Sequence, residues 1–371
     1  MQTTNWYQID DIDQIDSPAL VVFPERVKHN IDKAIEIAGG VSRLRPHVKT
    51  HKSPEVCRLM LDAGIYKFKC ATIAEAEMLA IEKAPDVLLA YQPVKPKVLR
   101  LLELVKAYPA TKFSCLTDHI ESARMIGELA QEQNVEIPVY IDVNTGMNRT
   151  GIAPSDKLME FYIQLTEISG IIVAGFHAYD GHIRNTDLSD RTRLCKEALQ
   201  PVLEIREKLV AQGYTQTTII AGGSPSFPVH ARNKEVECSP GTFVYWDKGY
   251  QSLFPEQQFL TAALVITRVV SLPSPSKICV DLGHKSIAVE NELSKRVFFL
   301  IGGDLIPVGQ SEEHLVLEAG EGHSYKVGDV LYGLPYHICP TCALYEKAFT
   351  IEKNKLTGTW KTLARDRTIT Y

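Results

Sequence analysis

Nowhere in these 371 residues does an apolar run approach the roughly 18 to 20 residues that a membrane-spanning helix needs. No membrane location is expected. The amino terminus, MQTTNWYQIDDIDQID, has neither the basic nor the apolar region of a secretory signal, which points to the cytoplasm. Excess positive charge is also lacking. With a formal charge of −5 and a pI near 6.1, the chain has no broad basic surface of the kind nucleic-acid binding requires. Neither G-x-G-x-x-G nor G-x-x-x-x-G-K-[ST] follows any apolar run, which argues against a dinucleotide-binding or P-loop fold. The eight cysteines (57, 70, 115, 195, 238, 279, 339 and 342) are too scattered for a disulfide framework, so most are expected as reduced thiols.

What is present is the composition of a globular enzyme, 45% hydrophobic and 23% charged, in a chain long enough for one large domain and a smaller one. Over the first two thirds, short β-branched runs alternate with helical patterns. The candidate strands are ALVVF from 19, RLRPHVK from 43, YKFKCAT from 66, DVLLAYQ from 86, KFSCLTD from 112, IPVYIDVN from 137, IIVAGFHAY from 171 and TTIIAGG from 217. Eight strand–helix units at this spacing predict a (β/α)8 barrel within an α/β fold. After about residue 250 the pattern becomes β-rich, with Gly, Pro and Ser punctuation and no helix between the runs, which predicts a C-terminal all-β domain. The expected division is 1–250 and 251–371, with roughly the first 18 residues joining the β domain.

Barrel chemistry gathers at the C-terminal ends of the strands, so the residues there carry the functional reading. Lys49 ends the second candidate strand and Asn144 the sixth, just before Arg149; His177, Tyr179 and His182 follow the seventh, and Gly222, Gly223 and Ser224 the eighth. A Gly-Gly-Ser turn lets backbone N–H groups approach an anion closely, and barrels commonly hold phosphate in the loops after their last strands. The run LRPHVKTHK places Lys49 among Arg45, His47, His51 and Lys52. Burial beside other cations would favour its neutral, nucleophilic amine. A nucleophilic lysine and a phosphate cradle on one rim suggest pyridoxal 5′-phosphate (PLP) held as a Schiff base.

Five motifs then occur in order: R-P-H-V-K-T-H-K, N-R-T-G, A-Y-D-G-H, G-G-S-P and P-Y-H-I-C-P-T. Together they resemble the D-threonine aldolase and D-serine dehydratase family of fold-type III PLP enzymes, over nearly the whole chain. The resemblance implies that Lys49 carries the cofactor, that Arg149 faces its ring nitrogen, that Tyr179 contacts it and that Gly222, Gly223 and Ser224 bind its phosphate. It also implies a homodimer. His337 and Cys339, two residues apart, would share one side of an extended segment and form an open metal site. Imidazole plus thiolate favours zinc over manganese or magnesium.

The expected activity is a PLP- and metal-dependent lyase acting on D-3-hydroxy amino acids, by dehydration and deamination or by retro-aldol cleavage to glycine and an aldehyde. The cysteine at 339 leans towards dehydration. His182 is the candidate base for the hydroxyl proton. An amino-acid racemase is the alternative, against which the His337 and Cys339 pair argues; a PLP-binding regulator without turnover is another, for which the β domain would have no purpose.

Overall fold

A computed structural model describes residues 5–302 and 304–371. In chain order, strand β1 (Ala19–Val22) and helix α1 (Pro24–Ala38) are followed by α2 (Pro54–Asp62), β2 (Lys67–Cys70), α3 (Ile73–Ile81) and β3 (Asp86–Leu89). Then come α4 (Lys95–Ala107), β4 (Lys112–Thr117), α5 (Ile120–Gln131), β5 (Ile137–Asp142), α6 (Asp156–Thr166) and β6 (Ile171–Ala178). A long helix α7 (Leu188–Ala211) leads to β7 (Thr218–Ala221), α8 (Phe227–His230), β8 (Val236–Cys238) and α9 (Lys248–Leu253). The remainder is almost all strand: β9 (Ala263–Ser274), β10 (Lys277–Val280), β11 (Val297–Phe299), β12 (Ile306–Gln310), β13 (Leu315–Glu318), β14 (Val330–Pro335), the short α10 (Ile338–Cys342), β15 (Lys347–Glu352) and β16 (Lys355–Lys361). No helix among the described residues is long and apolar enough to cross a membrane.

The chain forms two compact units. One comprises Lys33–Lys49, Cys57–Gly241 and Asp366–Tyr371; the other gathers the residues up to Asp32 with Thr50–Val56 and Thr242–Arg365. The first unit is built on seven parallel strands in the order β2-β3-β4-β5-β6-β7-β8. Segment 44–48 closes the ring between its two edges: Arg45 N–H bonds Cys238 O and His47 N–H bonds Pro240 O on one side, while Val48 N–H bonds Lys69 O on the other, each at 2.9 Å. An eight-membered barrel results, as an alternation of strand and helix dictates. Local signals start its helices where they should. Thr72 caps α3 by accepting from Glu75 N–H at 3.1 Å, and the Glu75 carboxylate in turn accepts from Ala71 N–H.

One expected barrel strand is reassigned and one barrel strand was not expected. The run from Ala19 is not in the barrel: β1 pairs antiparallel with β9 and parallel with β15 in the second unit. Its four residues are buried on both faces, a pattern that reads the same in a parallel barrel and in the middle of a covered antiparallel sheet. The eighth barrel strand is instead β8, three residues long with Glu237 at its centre. That glutamate is buried because it accepts from Arg45 Nε at 2.8 Å and pairs with Lys67, while Arg45 also reaches Asp86. Burial alone would lower the Arg45 pKa, but these two carboxylates more than restore it, and the guanidinium stays charged in the barrel floor.

The second unit holds a nine-stranded sheet, ordered β12-β13-β10-β9-β1-β15-β16, with β14 also on β9 and β11 on β14. Its core includes Tyr7, Ile9, Ile15, Val21, Leu264, Ile266 and Tyr332.

Candidate active site

At the C-terminal end of the barrel strands lies a cavity of about 230 Å³ whose lining includes Lys49, Lys69, Asp142, Arg149, His177 and Tyr179. Three sequence-predicted residues thus meet in one place. Arg149 stands 5.2 Å from the centre of the Tyr179 ring, and Lys69 Nζ 5.7 Å from it. Tyr179 also touches the Gly-Gly-Ser turn, since a Cβ built on Gly223 would come within 2.9 Å of its ring. Gly222, at φ +75°, takes a left-handed conformation that glycine adopts freely, and a Cβ there would strike His230 and Ser226 at 2.6 and 2.8 Å. Ser224 Oγ accepts from Gly241 N–H at 3.3 Å, and a hydroxyl that accepts one bond can also donate one. A cradle that any side chain would fill, an aromatic face beside it and an accessible amine fit a flat phosphorylated aldehyde.

Lys49 itself is exposed, contrary to the burial expected of it. The other charges of LRPHVKTHK are dealt with separately. Arg45 is paired as described, and His51 is buried and neutral, its pKa pushed down to about 3 by burial. The lysine whose burial matters is Lys69, which the sequence reading passed over. It is 3% exposed and its pKa is lowered to about 7, chiefly by burial and then by the charges of Lys49 and Arg45, with Asp142 and Asp180 opposing. Its partners are His177, at 3.3 Å, and Ser239. His177 in turn bonds Asp142 at 2.8 Å, and Thr150 donates to the other Asp142 oxygen at 2.6 Å. Burial and Lys69 keep His177 below its ordinary range despite Asp142. For Asp142 burial acts upward, but His177, Thr150 and Arg149 outweigh it and the carboxyl titrates low. One signal was available: Lys67 and Lys69 alternate on one face of an apolar strand, so both had to point inward.

His182 is exposed over the turn at Gly146, where a Cβ would meet its Nε2 at 2.8 Å, and does not line the cavity. His337 and Cys339 belong to the second unit. The segment carrying them is not extended throughout: His337 stands at the N-terminal boundary of α10, and Cys339 lies within that helix. The side chains nonetheless meet. Burial acts against the charge of each, yet their mutual attraction wins, raising the His337 pKa to about 9 and lowering that of the Cys339 thiol. His337 Nδ1 is bonded to Glu290, which leaves Nε2 for another partner, the arrangement of a metal-ligating histidine held by a carboxylate. Thr50 and Thr242 hydroxyls lie 3.1 and 3.5 Å from Cys339 Sγ.

Among the described residues, a set of three potential ligands close together occurs elsewhere, at the buried Asp180, Cys195 and His230. Its donors are already committed. Asp180 accepts from Ser226 and His230, each at 2.6 Å, and burial raises the Cys195 thiol far out of the range of a ready thiolate. Since Ser226 Oγ also accepts from Gly223 N–H at 3.2 Å, this trio braces the Gly-Gly-Ser turn.

Residues 23–248, well over half the chain, match the alanine racemase N-terminal domain family. The chain belongs to that family. Residues 262–351 match the putative serine dehydratase domain, so this member pairs the racemase-type barrel with a dehydratase-type β domain. Similar curated proteins are the 3-hydroxy-D-aspartate aldolase of Paracoccus denitrificans, 26% identical over 96% of this chain and 94% of that one, and the D-threo-3-hydroxyaspartate dehydratase of Delftia sp., 24% identical over 95% and 99%. Alanine racemases match over shorter stretches of sequence, 68% of this chain for that of Desulforamulus reducens. Among solved structures, D-threonine aldolase from Filomicrobium marinum superposes with a TM-score of 0.88 at 23% identity, covering 96% of this chain and 98% of that one. The barrel-plus-sheet fold is therefore that of the family.

Proposed function

We propose that this protein is a PLP- and metal-dependent lyase acting on D-3-hydroxy amino acids. The observation that carries the proposal is the meeting of Lys49, Arg149 and Tyr179 around one cavity, beside a Gly-Gly-Ser cradle, in a chain similar along 95% or more of its length to proteins named as aldolases and dehydratases of hydroxy amino acids. Bound through Lys49, PLP would supply an electron sink for charge released at the substrate's α-carbon.

The protein's own groups do the rest. Ser224 would donate its hydroxyl to the phosphate, at a turn where Gly222 and Gly223, whose own N–H groups bond Ala178 O and Ser226 Oγ, leave room for it. Tyr179 offers its ring face, and Arg149 a cation that cannot surrender its proton at the ring nitrogen. Lys49 takes the α-proton on the dehydration route. On the carbon–carbon cleavage route His182, which stands outside the cavity, would have to reach in from its exposed turn to take the hydroxyl proton. His337 and Cys339 would hold the ion, with water or substrate completing its shell, and zinc suits that donor pair better than manganese or magnesium. Such an ion acts as a Lewis acid on a hydroxyl group. The same reading makes the protein a cytoplasmic homodimer, to be checked by light scattering.

Incubation with D-serine, D-threonine and L-threonine, with and without chelator, tests the function. Pyruvate from D-serine or glycine from D-threonine, lost on chelation, is the expected result. Chelator-insensitive inversion of alanine or serine without lyase products would overturn it in favour of a racemase.

A further inference from the structure

Lys69 is the one lysine of the cavity that is closed off from solvent, and its partners fix the direction of every hydrogen bond it makes. Ser239 Oγ donates to Gly222 O at 3.0 Å, so it accepts from Lys69. Asp142 titrates low and is a carboxylate acceptor, so His177 Nδ1 carries the proton and His177 Nε2 is left as the acceptor facing Lys69, 3.3 Å away. The result is a line of donors running from Lys69 through His177 to Asp142, anchored at its far end by Thr150. A purely structural lysine would sit against a carboxylate. This one faces a neutral ring and a hydroxyl, and opens onto the space that Lys49 enters.

We propose that Lys69 is a second acid–base residue of this cavity, supplied through His177 and Asp142, and that it serves the condensation of Lys49 with an aldehyde. In that reaction a nitrogen–carbon bond forms, the carbon–oxygen bond breaks, and the oxygen departs as water. The Lys69 ammonium protonates the oxygen twice, once as the nitrogen–carbon bond forms and once as the carbon–oxygen bond breaks, and after each transfer the Lys69 amine recovers a proton from the attacking nitrogen, which so loses both of its own. The charged groups acting on Lys69 are Lys49 and Arg45, which favour its neutral form, and Asp142 and Asp180, which favour the ammonium. Both forms are present near neutrality, as a group that must give and take a proton requires.

The proposal rests on Lys49 being the aldehyde-binding residue, and the experiment separates the two. PLP is added to the cofactor-free full-length protein, and the growth of the absorbance band near 420 nm is followed from pH 5.5 to 9. Failure of the unaltered protein to form a borohydride-reducible band would sink the PLP reading itself. Given that band, Lys69→Met and Lys69→Arg are each expected to slow its growth by about 10²-fold or more at pH 7, with its final height kept and the inflection near pH 7 removed. An unchanged rate and profile in either variant would overturn the proposal, because arginine keeps the charge but cannot exchange its proton in this range. Should the Lys69 variants not fold, Asp142→Asn carries the test. Losing the carboxylate removes a charge that favours the ammonium, so the inflection is expected at lower pH; an inflection left in place would equally count against the proposal.

Discussion

Two histidines, each hydrogen-bonded to a carboxylate, end in opposite states. In the barrel cavity His177 faces Asp142 and is driven towards neutrality, because burial and the neighbouring Lys69 outweigh the carboxylate. In the second unit His337 faces Glu290 and Cys339 and is driven towards the cation, because it is less buried and a thiolate adds to the attraction. A histidine–carboxylate pair therefore says little by itself. What decides the charge is whether burial or the partners' charge is the larger effect. A neutral ring suits a proton line, whereas a ring paired with a thiolate suits a metal once both give up their protons.

The contrast can be broken most severely at Lys49. Replacing it by alanine should abolish the borohydride-reducible band and lower turnover by about 10³-fold or more, while metal content measured by mass spectrometry stays the same. If metal and cofactor were lost together, the two regions would not be functionally separate. Next in size is Arg45→Met, which takes from the barrel floor the cation shared by Glu237 and Asp86, leaves Glu237 with Lys67 alone, and should cost about 3 kcal/mol in urea unfolding. A loss below about 1 kcal/mol would mean that the floor is wetter than its burial indicates.

A smaller effect is expected at Glu290. Glu290→Gln should weaken zinc binding about 10 to 100-fold without altering PLP capture, since it removes the group that orients His337. Equal affinity in both proteins would remove the case for a metal-ligand support. The smallest effect is on the pH dependence of stability. The folded-state pKa of Lys69 lies below its ordinary value, so between about 7 and 10.5 the unfolded chain binds more protons and stability rises with pH. Lys69→Met should remove up to about 1.4 kcal/mol of that rise per pH unit, read from unfolding midpoints at pH 7.5, 8.5 and 9.5.

Legibility in the sequence followed the range of the interaction. Strands β2 to β7 and the polar ends that line the cavity could be read, because apolar alternation and Gly or Asn breaks are local signals. The assignment of Ala19–Val22 failed because an all-buried run carries no information about which sheet receives it. Strand β8 failed for the opposite reason. Glu237 at its centre reads as surface, and only Arg45, 192 residues earlier, makes it an interior residue. The exposure of Lys49 was hidden in the same way; the inward direction of Lys69 is written in the alternation of its strand, but its full enclosure depends on His177 and Ser239, far along the chain. Within the second unit, α10 interrupts a segment read as extended, yet the His337 and Cys339 side chains still meet, because a helix start can bring neighbours two apart together as a strand does.

The seam between segment 44–48 and β8 has a consequence for biosynthesis. The guanidinium destined for the floor leaves the ribosome almost two hundred residues before its glutamate partner, so it must wait in water while the intervening strands assemble as an open, curling sheet. Ring closure is then a late event that dehydrates a charge at the moment its partner arrives, and a nascent chain halted just short of Glu237 should remain unsealed.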